Sequence, residues 1–240
     1  MALQAQQIVS LATQIARCPG FTSQAGQLLN MILSDLCQTY DLAINLTTAT
    51  ITLSSGQGVG VSNIGSGPYT LPADYLRLAK NELFYSVSGT SYVMINIDLA
   101  EFDALTQTPG LSNYPEYWAT DLSVTPPVMY VWPPAGGSYV TTLRYYQQKA
   151  DIATPESSTT VPWFPNTDYL VTRLAGELMK ITDDQRSSGF LGEGPGAQGV
   201  LKRFLLLQSD DEGRAKTVTL DRRRFGTPYS KVPDTKTIGW

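Results

Sequence analysis

The hydrophobic period of this 240-residue chain changes twice, from helical to strand-like and back, and that alternation limits the possible folds more than any other feature. Across residues 4–17, Ile8, Leu11, Ala12 and Ile15 fall at i, i+3, i+4 and i+7, the spacing of one face of a helix. Pro19-Gly20 punctuates that helix. Thr22 or Ser23 can cap a second one, with Ala25, Leu28, Leu29, Ile32 and Leu36 on its apolar face. From about 48 to 163 the period is two. The run 48–53 alternates, and LFYSV-SGT-SYVMINI (83–97) reads as a hairpin. VMYVW-PPAGG-SYVTTLRYYQQ (128–148) reads as a second hairpin. Between the two, AEFDAL (100–105) is read as one helical turn and GLSNYPEYWA (110–119) as an aromatic loop. Helical spacing then returns. Asn166 or Thr167 caps a run with Leu170, Val171, Leu174, Leu178 and Ile181, SSGFLGEGPG (187–196) breaks it, and 197–212 resumes with Val200, Leu201, Phe204, Leu205 and Gln208.

Neither helical pair is long enough to bury its apolar face alone. The expected fold class is therefore α+β: a four-helix bundle built from the N- and C-terminal helical pairs, an inserted antiparallel β subdomain, and an extended C-terminal arm. The expected domains are 1–47 with 164–215 for the bundle, 48–163 for the insert and 216–240 for the arm.

Composition narrows the chemistry. The chain has no histidine, which excludes Ser-His-Asp and Cys-His catalysis and imidazole metal ligation. The two cysteines, Cys18 and Cys37, cannot build a structural zinc site by themselves and read as buried free thiols. No apolar run approaches the roughly 20 residues that span a bilayer. The start, MALQAQQIVS, lacks the basic region of a signal peptide, so cytoplasmic synthesis is expected. Net charge is −4, split unevenly. Residues 1–215 hold 11 Lys/Arg and 19 Asp/Glu, a net of −8, while 216–240 hold 6 and 2, a net of +4. Before residue 70 only Arg17, Asp35 and Asp41 are charged, so the first hairpin is expected to meet other subunits.

Several strings resemble sites. LPADYLR (71–77) gathers Asp74, Tyr75 and Arg77, with Tyr69 just before it. Paired acids can hydrolyse glycosides, and Glu82 is near in sequence, but no partner base is marked. As construction, Pro72 stops strand pairing, Asp74 starts a turn, and Arg77 pairs with an acid locally or on a neighbouring subunit. GPGAQG (194–199) matches G-x-G-x-x-G, yet no strand precedes it and Pro195 removes a donor, so an interhelix loop is expected. GQGVG (56–60) has no lysine and no following helix and reads as a loop tip. Asp183-Asp184 and Asp210-Asp211-Glu212 lack calcium-loop spacing and read as solvated helix ends. Asn45-Leu46-Thr47 matches a glycosylation sequon by chance. No catalytic, cofactor or metal site is expected, and the chain is read as no enzyme.

The order of elements carries a resemblance. A helical hairpin, a strand, LPADYLR, the NELFYSV…YVMINI pair, YPEYWA (114–119), VMYVWPPA, TTLRYYQQ and a helix after VPWFPNTDY together resemble the head-to-tail adaptor proteins of tailed bacteriophages, the family that includes the tail tubular protein of short-tailed phages. The likeness covers most of 1–215. It implies a structural virion protein of the tail or neck, assembled in the host cytoplasm, that self-associates into a ring of about twelve subunits. It further implies as partners the portal protein and a downstream nozzle or tail tubular protein. Genomic DNA would pass through the channel without sequence-specific binding, and no membrane would be involved. The basic tail corresponds in position to the portal-binding arm, which points to Arg222, Arg223, Arg224, Phe225, Tyr229 and Trp240. Two other readings stay open: a nucleic-acid-binding module in which those arginines grip phosphates while aromatics stack on bases, and a carboxylate hydrolase of the tail.

Overall fold

The computed structural model describes residues 3–54, 66–79, 82–106 and 114–209. In chain order the elements are α1 (Ala5–Ile15), α2 (Thr22–Thr39), β1 (Leu46–Leu53), β2 (Ser66–Thr70), β3 (Tyr75–Leu78), β4 (Glu82–Val87), β5 (Thr90–Asn96), α3 (Leu99–Thr106), β6 (Tyr117–Asp121), β7 (Val128–Trp132), β8 (Tyr139–Gln147), α4 (Thr167–Ile181), α5 (Ser187–Leu191) and α6 (Ala197–Ser209). The first of two units, Met1–Val200, holds all of them up to the opening turn of α6.

The expected four-helix bundle with an inserted antiparallel β subdomain is overturned. The dominant element is one eight-stranded sheet, ordered β1-β8-β4-β5-β6-β7-β2 with β3 added beside β8. It curls into a nearly closed, barrel-like form. The cause lies in the strand interiors. Leu53, Leu83, Tyr85, Met94, Trp118, Met129, Val131, Leu143 and Tyr145 all face one interior and form a single buried cluster. Eight strands that share one apolar interior bury it best by curling on themselves, which also shields their edges.

Strand partners differ from those expected. The SGT hairpin forms, with Val87 opposite Thr90 and both central residues left-handed, Ser88 at φ 51° and Gly89 at φ 84°. That is the turn whose twist matches its strands, and glycine suits its second position. The second expected hairpin does not form. β7 pairs with β6 and β2, whereas β8 pairs with β1, β4 and β3. The aromatic loop contains strand β6, which runs parallel to β5 through Ile95–Tyr117. A parallel pair needs a crossover, and α3 supplies it. Phe102 of α3 packs with Ala119, Tyr117, Tyr130 and Trp132, so this helix covers the outer face of β6 and β7.

The helices α1, α2 and α4 pack on one another. α5 lies close on α4, where a Cβ at Gly176 would come within 2.7 Å of Leu191 Cδ2. At five residues, α5 does not supply the fourth member of a bundle. Asn166 caps α4 by accepting from the Tyr169 N–H at 3.0 Å. α2 has no side-chain cap, because a 3₁₀ turn at Pro19–Phe21 runs straight into Thr22. The N-terminal donors of α1 are met by the chain after β8, with Ala5 N–H donating to Thr160 O and Gln6 N–H to Ser158 O. The same connecting segment is held to α2 by Asn30, which both donates to and accepts from the Ile152 backbone at 3.0 and 3.1 Å.

One helical face is rotated from expectation. α1 buries Ala5, Ile8, Val9, Ala12 and Thr13, while Leu11 and Ile15 are exposed. Because α1 packs against both α2 and α4, its buried arc centres on positions 5, 8, 9 and 12. Cys18 and Cys37 are buried free thiols, as expected.

Candidate interaction surfaces

The stretch Leu71–Leu78 sits at the end of the sheet that faces the helices. Tyr75 N–H donates to Pro72 O at 3.0 Å, closing the turn after the proline. The Asp74 carbonyl accepts from Gln148 N–H at 2.7 Å. Among the described residues its carboxylate takes no backbone donor. Instead Oδ1 accepts the Tyr145 hydroxyl at 2.9 Å. Gln147, with its amide turned to satisfy both neighbours, donates to Oδ2 at 3.1 Å and accepts from Lys149 Nζ at 2.6 Å. Tyr145 also stacks on Tyr75 with ring centroids 5.6 Å apart. Burial first, and the Asp74 carboxylate second, push the Tyr145 phenol up to about 12.

Arg77 faces the other way, into the helical layer. Nε donates to Asp41 Oδ1 at 2.6 Å, Nη1 to the carbonyls of Cys37 and Gln38 at 3.0 and 2.9 Å, and Nη2 to the Tyr40 carbonyl at 2.8 Å. Its guanidinium lies 5.3 Å from the Tyr146 ring centroid. Carbonyls at the end of a helix have no partner within it, and that end carries partial negative charge. One arginine on β3 therefore closes α2 and fastens the sheet to the helices. Of the two partners expected for it, the local acid is present. Both charged side chains of LPADYLR are thus engaged in holding the body together.

The opposite end of the sheet is closed by tyrosines. Tyr85 stacks on Tyr92 and Tyr139, and Tyr114 stacks on the same two, at centroid separations between 4.7 and 6.1 Å. Tyr85 donates to the Pro115 carbonyl at 3.0 Å. Burial, reinforced by the neighbouring phenols, pushes its ionisation well above the usual tyrosine range.

The remaining strings are resolved where the structure describes them. Gly194 has φ 87°, and a Cβ on Gly199 would collide with the Gly194 carbonyl, so GPGAQG is a tight connection between α5 and α6. Asp183 takes φ 54° just past α4, and Asp184 accepts from Arg186, which holds its carboxyl down to about 2. The Asn45 side chain is buried beside Cys37, with Nδ2 3.5 Å from Sγ, so the sequon offers no glycan site in this fold. GQGVG (56–60), Asp210-Asp211-Glu212 and the arm residues Arg222, Arg223, Arg224, Phe225, Tyr229 and Trp240 lie outside the described residues. Among the described residues no group of three His, Cys, Asp or Glu is placed to hold a metal ion. No described helix is long and apolar enough to cross a membrane.

A sequence model of the SU10 adaptor protein family matches residues 4–220. The chain belongs to the SU10 adaptor protein family. Comparison with curated proteins gave no match. The family is one of structural phage adaptors, so this SU10 adaptor is a virion component that interacts with other phage head and tail proteins. The matched span takes in every described element of the SU10 adaptor, from α1 to α6. It ends before Arg222.

Sequence reasoning placed Arg77 against an acid but missed its role at the end of α2. A lone arginine after a turn gives no sign that helix carbonyls lie opposite it. It also missed the outward apolar residues of β4 and β5. That signal was present, because Phe84 and Val93 interrupt the polar half of the alternation.

Proposed function

We propose that this SU10 adaptor is a ring-forming head-to-tail adaptor of the tail-tubular-protein kind. It sits beneath the portal, carries the next tail component, and extends the channel through which the genome leaves. The observation that carries this reading is the family match over residues 4–220, which takes in every described element.

Electrostatics supports the channel role. Residues 1–215 carry a net of −8 (11 Lys/Arg against 19 Asp/Glu), and an acidic or neutral wall lets phosphates pass. A basic wall would hold them by counterion release. The arm takes the opposite charge, +4 over 216–240. In this reading Arg222, Arg223 and Arg224 pair with carboxylates on the portal, while Phe225, Tyr229 and Trp240 fill apolar pockets, the residue types that most often dominate interfaces. The ring holds about twelve copies, so weak arms add through multivalency.

Co-sedimentation tests the reading against its rival, in which the tail binds nucleic acid. The purified adaptor is mixed with portal protein of the same phage, or with duplex DNA, at physiological salt. Migration with portal and not with DNA is expected. Tight migration with DNA alone would replace this reading with the nucleic-acid one.

A further inference from the structure

The outer surface of the sheet is treated in two ways. Over β6 and β7 it is covered, with Phe102 of α3 seated on Ala119, Tyr117, Tyr130 and Trp132. Over the adjacent strands β8, β4 and β5 no described helix is seated. There Val140, Phe84, Val93 and Ile95 stand 44–56% exposed. They are not scattered. Phe84 is directly opposite Val93, Ile95 is two residues along the same face, and Val140 adjoins the Thr141–Tyr85 pairing of β8 with β4. Single exposed apolar residues are ordinary, but a contiguous group on one sheet face marks a contact surface.

A second apolar surface lies on α1. Its core-facing arc is complete with Ala5, Ile8, Val9 and Ala12, and Leu11 and Ile15 form an additional ridge one helical turn apart. α1 contains no charged residue and neither does β5, while on the adjoining strands β8 brings Arg144 to the same outer face and β4 opens with Glu82, opposite Ile95.

We propose that the outer face of β8, β4 and β5 is a subunit interface that receives the Leu11–Ile15 ridge of α1 from a second copy. The inference rests on the ring reading above and assigns its surfaces. Charge selects the occupant. Another copy brings the same net of −8 over 1–215, so like-charged bodies approach most easily where the facing elements add no net charge, as with the uncharged α1 and the strands β8, β4 and β5, in which Arg144 offsets Glu82. Shape selects the pairing. The sheet already takes a helix on this outer surface at β6 and β7, and the neighbour's α1 repeats that packing on the adjoining strands. Two different patches joined in this way make a heterologous contact, the kind that propagates from copy to copy and closes into a ring.

The experiment uses full-length Leu11→Asp and Val93→Asp, each checked for wild-type circular dichroism and melting, and follows mass by sedimentation velocity with and without portal. Each substitution is expected to weaken self-association by about 30-fold or more. Each variant alone should stay monomeric where the wild type assembles. An equal mixture should stop at a one-to-one dimer, because each variant keeps one intact face. If Val93→Asp lowers the melting temperature, the Val93→Thr, Ile95→Thr pair replaces it in the same mixture. Self-association of Leu11→Asp alone would show the sheet faces packing on each other and overturn the proposal. Wild-type assembly by both variants would overturn this interface and leave the ring reading standing. A wild-type chain that stays monomeric even on portal would end both.

Discussion

Arg77 Nε lies 2.6 Å from Asp41 Oδ1, and the remainder of the same guanidinium closes on the Cys37, Gln38 and Tyr40 carbonyls at the end of α2. The ion pair is the weaker part of this arrangement, because the Asp41 side chain is 64% exposed and solvent screens it. The carbonyls matter more, since removing their donor leaves several acceptors unmet.

Arg77→Ala should therefore destabilise the body by about 1–3 kcal/mol, whereas Asp41→Asn should cost less than about 1 kcal/mol. Arg77→Lys keeps the charge but not the planar fork and should fall between them. Urea unfolding of the three variants checks the order. An Asp41→Asn loss equal to that of Arg77→Ala would mean the ion pair dominates.

Tyr145→Phe removes the hydroxyl given to Asp74 while keeping the stack on Tyr75. It should cost about 1.5–3 kcal/mol, the range of a hydrogen bond to a charged acceptor. Asp74→Asn should lower stability or assembly and change no turnover. Polysaccharide hydrolysis by the purified protein, lost in Asp74→Asn, would restore the hydrolase reading.

Alkaline pH gives a third expectation. Burial pushes Tyr75, Tyr145 and Tyr169 each up to about 12, against about 10 for a free phenol. The folded state holds these protons more tightly than the unfolded one. The stability they contribute is thus fully present below about pH 10 and is lost as pH rises towards about 12. Tyrosinate absorbance and circular dichroism should change together in that window. Full ionisation with the fold intact would contradict the burial assigned to these rings.

Much of the body was legible in the sequence because local chemistry decided it. The Ser88-Gly89 turn, the Asn166 cap and the alternation of 48–53 each need only neighbours along the chain. What escaped was partnership. Nothing local tells β8 to pair with β1 and β4 rather than with β7, or β6 to lie parallel to β5, since those choices follow from closing one interior around Trp118 and Met94. The sheet's own core replaced the expected bundle as the centre of the fold for the same reason. Leu11 and Ile15 have helical spacing with Ile8, but spacing does not say which of two apolar arcs is covered inside the subunit.

The arm yields a separate expectation. Deleting residues 217–240 should leave the melting temperature of the body unchanged, because Met1–Val200 forms a unit of its own, while portal binding is lost. Portal affinity equal to that of the full chain would move attachment to the body. If the full chain's tail instead held duplex DNA tightly at physiological salt in the assembled particle, the nucleic-acid reading would gain.

Negative-stain microscopy of the purified adaptor mixed with portal protein tests the central claim most directly. The account predicts a closed ring, coaxial with the portal and stacked on one of its faces, with an open central channel. Portal rings without an added layer, beside separate adaptor molecules at saturating concentration, would contradict it.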